Sequence, residues 1–443
     1  MYEIAPIDIL FAVLLAMSVP AAVIWYLSSA RVSKLFRDLV ILGGLLWICL
    51  AFFNEDYVYM MLGITRADAA VHWRAALEAA QQLEEGKWPF RRALPLGNET
   101  YVAYLTFLHV ILGATNYGAI AINGFLAFLG GLTLTRSLAQ VFPLGRGREK
   151  WFFLLIFCPS TVFWTTANMK EGLMYWAICQ ILAPLIEASS TRRAPISLMG
   201  VIGLGVAGLF RPHIAMIWVF AAGISMLMFR KRIAWAVLLL LLMPMVFLAL
   251  RAFVGSSLMS PTEALEVMER QYQGLNSPGA GSFIDHGTEG PIFFVSGFVA
   301  TFFRPFPWEI KSLRTLIASA ETWGLTFILI LAWLQLGSNE RRQLLRFPAI
   351  WSSIMICLFF SIIFTYLPIE GIIVRQRVQL IPGILVAALT PILFREHVRE
   401  QKKLLELLPK VVPQVSPGLR SAFRNKAGKD LNIRRPELPQ SFS

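Results

Sequence analysis

Apolar runs near the length an α-helix needs to cross about 30 Å of hydrocarbon recur along the whole chain, separated by short clusters of arginine and lysine. Eleven of them read as crossings, at about 8–28, 38–54, 117–137, 151–167, 172–188, 195–210, 213–229, 232–252, 322–336, 347–367 and 378–394. The pattern predicts an all-α, polytopic membrane protein with about eleven transmembrane helices and further amphipathic or interfacial helices outside. The first run follows MYEIAPID, an acidic start without Lys or Arg, and no small-residue cleavage site follows it; it reads as a retained span.

The basic clusters set the orientation. Arg31/Lys34/Arg37, Arg136 with Arg146/Arg148/Lys150, Arg192/Arg193, Arg230/Lys231/Arg232, Arg341/Arg342/Arg346 and the residues from Arg395 onward share one side if the N-terminus is outside and the C-terminus cytoplasmic. Residues 101–115, YVAYLTFLHVILGAT, span only about 22 Å as a helix. A crossing there would place the first cluster opposite all the later ones, so an interfacial segment is expected. The chain then divides into a helical membrane domain, 1–395, with external loops 55–116 and 253–321, and a basic tail, 396–443, expected to be disordered.

Within the first external loop, Trp73, Ala76, Leu77, Ala80 and Leu83 follow the helical period, which predicts an amphipathic helix over 67–85 on the membrane surface, ended by Gly86 and Pro89. Asp68 and His72 stand four residues apart on another stripe of it. In the second large loop, Ser260, Pro261 and Glu263 form a helix start, and residues 274–291 are Gly- and Pro-rich enough for a lid, with Asp285 and His286 in it.

Composition agrees with the pattern. Of 443 residues, 56% are hydrophobic and 15% charged, below the roughly 25% charged share of soluble domains. The net charge of +13 sits beside spans and in the tail, so positive-inside bias accounts for it and no nucleic-acid partner is expected. Cys49, Cys158, Cys179 and Cys357 all lie in apolar runs without metal-ligand spacing and read as packing residues. There is no P-loop, no GxGxxG after a strand, no HExxH and no GxSxG nucleophile elbow.

The stretches DAAVHWRAA…EEGKWP, NYGAIAINGFLAFLGGLTLTRSLAQVF and CPSTVFWTTANMKEGLMYWA, over about residues 38–190, resemble in pattern and order the first external loop and following spans of GT-C class glycosyltransferases. The resemblance implies a multi-span enzyme that takes sugars from polyprenyl-phosphate carriers, with Asp68 as the external acid that activates or orients the acceptor. His72 falls where the class has a Tyr or another polar residue. Two departures are visible: Lys170 precedes Glu171 in the second external turn, and no Asp-X-Asp pair is present, which puts dependence on a divalent metal in doubt.

Elementary chemistry points the same way. Sugar transfer from a lipid phosphate needs a base for the acceptor and fixed positive charge for the leaving phosphate. Asp68 supplies the first, and Lys170, Arg211, Arg304, Arg375 and Arg377 are external cations for the second, with His72 and Glu171 as further binding candidates. Each has a plainer reading: a favourable charge at a helix N-terminus for Asp68, snorkelling to lipid phosphates for the arginines, a polar turn for Lys170/Glu171. FFRPFPWE at 302–309 reads as an anchor at the membrane surface, and is similar to strings in membrane proteins of bacterial surface-polysaccharide synthesis.

The expected function is therefore an inner-membrane glycosyltransferase that moves a sugar or glycan from a polyprenyl-phosphate-linked donor to a saccharide, lipid or protein acceptor on the extracytoplasmic face. Other polysaccharide-synthesis proteins are possible partners, and no cofactor is implied beyond the lipid-linked substrate. A polysaccharide polymerase of the O-antigen type would use the same cations. A lipid-linked glycan flippase stands as the reading from another class, although no internal repeat of the kind common in transporters is found, and a scaffold for a synthesis complex is a third.

Overall fold

The computed structural model describes residues 5–28, 30, 32–61, 67–90, 95, 97–143, 149–190, 195–227, 237, 291–364 and 370–411, and among these there is no strand. The helices are α1 (Pro6–Leu27), α2 (Lys34–Phe53), α3 (Ala67–Glu84), α4 (Asn98–Leu112), α5 (Asn116–Val141), α6 (Phe152–Ile156), α7 (Pro159–Thr165), α8 (Glu171–Ser190), α9 (Leu198–Phe210) and α10 (Pro212–Leu227). They continue with α11 (Pro291–Phe303), α12 (Leu313–Leu334), α13 (Ser338–Leu344), α14 (Pro348–Phe364), α15 (Glu370–Gln376) and α16 (Ile381–Val411). Local chemistry starts several of them. Pro6 opens α1, and the hydroxyls of Ser33, Ser197 and Ser312 accept from the N–H groups of Phe36, Gly200 and Thr315 at 3.1, 3.0 and 3.3 Å.

Among the described residues, six helices are long and apolar enough to cross a membrane: α1, α2, α5, α8, α12 and the first part of α16. Counting α13 with α14 as one span bent by 79° makes seven. The segment expected to cross at 151–167 is not one helix; it breaks at Phe157 and Cys158, ahead of Pro159, whose ring removes an N–H donor. Helices α9 and α10, at 13 and 16 residues, are shorter than a full crossing. The run at 232–252, apart from Val237, and the loop features at 260–290 lie outside the described residues. The expected boundary at 395/396 falls inside α16, which continues to Val411; the tail beyond it also lies outside them.

Helices α5 and α8 form the centre, with 78% of each span buried, whereas α1 and α12 are 17% buried and turn most of their surface outward. Lipid tails give helices little hydrophobic reason to associate, so close backbone approach must do it. Gly131 supplies one approach: a Cβ there would lie 2.9 Å from Ile156 Cα and Leu155 O. Gly172 supplies another, since a Cβ would stand 2.7 Å from Asn123 O, and this contact sets the start of α8 against α5.

One end of the bundle is polar. Asp8, fully buried, accepts from Thr115 N and Gly118 N at 3.3 and 3.2 Å and from Thr115 Oγ1 at 2.5 Å, so its carboxylate caps α5 from a neighbouring helix. Helix α4 returns to that end at both termini. Gly97 N donates to Leu209 O at 2.8 Å at its start, and Thr115, three residues past Leu112, is held by Asp8. Both ends of α4 are thus tied to this part of the bundle, and at 15 residues the helix is shorter than a full crossing. The opposite end gathers the described residues of segments 33–37, 143–150, 341–347 and 395–401: Ser33 N bonds Glu149 Oε1 at 3.2 Å, Phe142 stacks on Phe347 at 5.6 Å, and His397 Nδ1 lies 3.2 Å from Pro143 O.

Candidate functional site

Helices α3 and α4 cover the polar end. Helix α3 stops in a Schellman turn, with Gly86 at φ +74°, its N–H bonded to Leu83 O and that of Lys87 to Gln82 O. The buried face of α3 consists of Ala69, Trp73, Ala76, Ala79 and Ala80. Leu77, expected on that stripe, is 38% exposed instead. The reason is that α3 packs on α4: Trp73 meets His109 edge-on at 5.7 Å, and Thr106 Oγ1 donates to Ala76 O at 3.3 Å.

Asp68 is the second residue of α3. Its neighbour Ala69 packs with Tyr59, Ala167 and Met169, so the start of α3 lies beside the turn that leads into α8. One helical turn on, His72 is half-buried and meets the Tyr101 ring edge-on at 5.3 Å.

Beneath this cover runs a set of hydrogen bonds that the sequence reading missed. Tyr101 Oη donates to Asn168 Oδ1 at 2.8 Å and accepts from Asn123 Nδ2 at 2.8 Å. Tyr104 Oη donates to Asn123 Oδ1 at 3.1 Å, and Asn168 Nδ2 to Asn116 Oδ1 at 2.6 Å. Asn54 adds a clamp from the end of α2, its amide donating to Phe163 O, Thr166 O and Thr166 Oγ1. In an apolar bundle each amide must find partners inside the protein. Together they fix residues 166–170. The available signal was a pair of asparagines inside NYGAIAING, which no amphipathic surface requires.

That turn delivers Glu171 to the cations. Glu171 Oε1 accepts from Arg211 Nη2 at 2.9 Å, with only 2% and 4% of their side chains exposed. Arg375 Nε approaches the same oxygen at 3.4 Å, and Arg375 Nη1 lies 3.9 Å from Met169 Sδ. Arg211 occupies the corner between α9 and α10. Burial pulls its guanidinium down to about 10 and the charge of Arg375 adds to this, while Glu171 opposes it, so Arg211 is still cationic at neutral pH.

A second cluster begins two residues further along the chain. Arg377 donates through Nη1 to Thr322 Oγ1 and through Nη2 to Arg304 O, the latter at 2.5 Å. The Arg304 side chain pairs with Glu309 at 2.7 Å. Lys170 Nζ donates to Asn98 Oδ1 at the start of α4. The bundle thus forms two groups that adjoin through segment 375–377, Glu171 with Lys170, Arg211 and Arg375 in one and Arg377 with Thr322 and Arg304 in the other.

Their exposure separates two groups. Glu171, Arg211 and Arg377 are buried, whereas Arg375 is 18% and Arg304 27% exposed, and Lys170 is half-buried. The buried groups hold the cluster together; the partly exposed ones can reach a ligand. Among the described residues, no group of three or more His, Cys, Asp and Glu side chains is placed to hold a metal ion. The chain matches no family model, no curated protein and no solved structure.

Proposed function

We propose that the protein is a GT-C-like integral membrane glycosyltransferase that moves a sugar from a polyprenyl-phosphate-linked donor to an acceptor at the polar end of the bundle. The supporting observation is that the partly exposed Arg375 and Lys170 adjoin the buried Glu171–Arg211 pair, with the Arg377–Arg304 group two residues along the chain from Arg375. Arginines at such a place suit the oxygens of a phosphate, which they can bind in pairs. In the reaction, an acceptor hydroxyl forms a bond to the anomeric carbon as the bond from that carbon to the phosphate oxygen breaks. The hydroxyl proton goes to Asp68. The lipid phosphate leaves with the bonding electrons, and its charge is met by the guanidinium groups.

In the same reading the polar end faces outward, across a bacterial inner membrane spanned about eleven times, because the basic segments collect at the other end. A cysteine at the exposed Gln82 position then reacts with an impermeant maleimide on intact cells, and one at Ser338 only after permeabilisation. The reverse order would overturn the orientation. Gathering of the cations at one end, rather than at mid-span, favours transfer or polymerisation over a flippase.

The phosphate role is tested by binding. Arg375→Ala weakens binding of polyprenyl phosphate to the purified protein by roughly ten- to a hundredfold, the equivalent of one charge-assisted contact. Unchanged affinity in Arg375→Ala and Lys170→Ala alike would show that the cluster is structural only.

A further inference from the structure

RPFPWE, residues 304–309, contains a feature that phosphate binding does not use. The Phe306 and Trp308 rings lie parallel, 4.7 Å apart at 7°. Phe306 is backed by Trp323 of α12 at 6.2 Å and has the Arg304 guanidinium 5.9 Å above its ring. Both oxygens of Glu309 are engaged in holding the turn: Oε2 accepts from Phe306 N at 2.9 Å and Oε1 pairs with Arg304 at 2.7 Å. Pro305 and Pro307 restrict the backbone on either side of Phe306. One face of the Trp308 indole therefore rests on a rigid support, and the residue is still 77% exposed.

We propose that the open face of Trp308 is a pyranose-stacking subsite, a step that rests on the glycan-handling reading above. The axial C–H groups of a sugar carry slight positive charge, and the face of an indole is its negative side, so the two attract without displacing the sugar hydroxyls from water. The flanking Arg304, 27% exposed, offers a donor for those hydroxyls at the rim. Preorganisation argues for a specific occupant. A tryptophan that only anchors a protein in the headgroup region needs no fixed ring plane, whereas a ring held in place loses little entropy when a sugar stacks on it. The platform also adjoins the cation cluster, since Arg377 donates to Arg304 O.

The full chain in nanodiscs is probed with methyl glycosides of glucose, galactose and N-acetylglucosamine by saturation-transfer NMR. At least one should give a signal on its ring C–H protons, weakened roughly two- to tenfold in Trp308→Ala and largely kept in Trp308→Phe. Transfer between glycosyl donor and acceptor is not required, so a failed glycosyltransferase assay and a failed stacking assay are distinct results. The same nanodiscs made with brominated lipid test the alternative: the emission lost in Trp308→Phe should be unquenched, whereas that lost in Trp25→Phe, from an exposed position on α1, should be quenched. Absence of a signal with all three glycosides, an equal signal in Trp308→Ala, or quenching of Trp308 by brominated lipid would each overturn the subsite.

Discussion

Replacing Glu171 by leucine should destabilise the protein by about 3–5 kcal/mol, the cost of leaving buried positive charge without its counter-charge. Glu171 is 2% exposed and faces two guanidinium groups, Arg211 at 2.9 Å and Arg375 at 3.4 Å. Arg375, being 18% exposed, can turn toward water when the carboxylate goes. Arg211, held in a corner of the chain and 4% exposed, cannot. Most of the loss therefore belongs to Arg211. The double variant Glu171→Leu/Arg211→Leu should recover much of it, because replacing both members of a buried pair by apolar groups is often close to neutral. Unfolding in mixed detergent, followed by helical signal, reads both effects. A single variant as stable as the parent chain would mean that the cluster admits enough water to solvate Arg211, and the distinction between supporting and exposed cations would be lost.

The ion cluster also marks where sequence reasoning stops. Which residues are unusual was legible, because arginines at the ends of apolar runs on the less basic side contradict a strong compositional bias. Which of them oppose each other was not: Glu171 and Arg211 are 40 residues apart and Arg375 lies on a much later helix. Periodicity reports the face of one helix and carries no information about pairing between distant ones. Glu171 and Arg211, each read from sequence as a substrate contact, prove to bond each other at 2.9 Å.

The same division applies to the fold. Helix α3 and its stop at Gly86 follow from local pattern, and so does the shortness of α4, which at 15 residues falls below a full crossing. The break between α6 and α7 had a local signal in Pro159 that apolar composition outweighed. Asp8 had none: it stands in the first turn of α1, where an acid is ordinary, and its role as a cap for α5 depends on Thr115 and Gly118, more than 100 residues away. Leu77 was misplaced because the period fits either of two adjacent stripes, and contact with α4 chooses between them.

Asp68→Asn should lower sugar transfer by 10²- to 10⁴-fold, the range typical for loss of a general base, while polyprenyl-phosphate binding stays unchanged. Asparagine keeps the shape of aspartate and can still accept a hydrogen bond, so the start of α3 should form as before. It cannot take the acceptor's proton. This pattern is the reverse of that expected for Arg375→Ala, where affinity for the phosphate falls, and the two variants together separate proton removal from phosphate binding. The position of α3 makes the comparison meaningful. Ala69, next to Asp68, packs on Met169, and the Arg375 guanidinium lies against Met169 Sδ. The start of α3 and the Arg375 guanidinium thus both lie beside the turn at Met169, so the two variants bear on one proposed site. Full transfer activity in Asp68→Asn, with phosphate binding intact, would remove the base from the mechanism and leave the cations as the only part of the site with a chemical role.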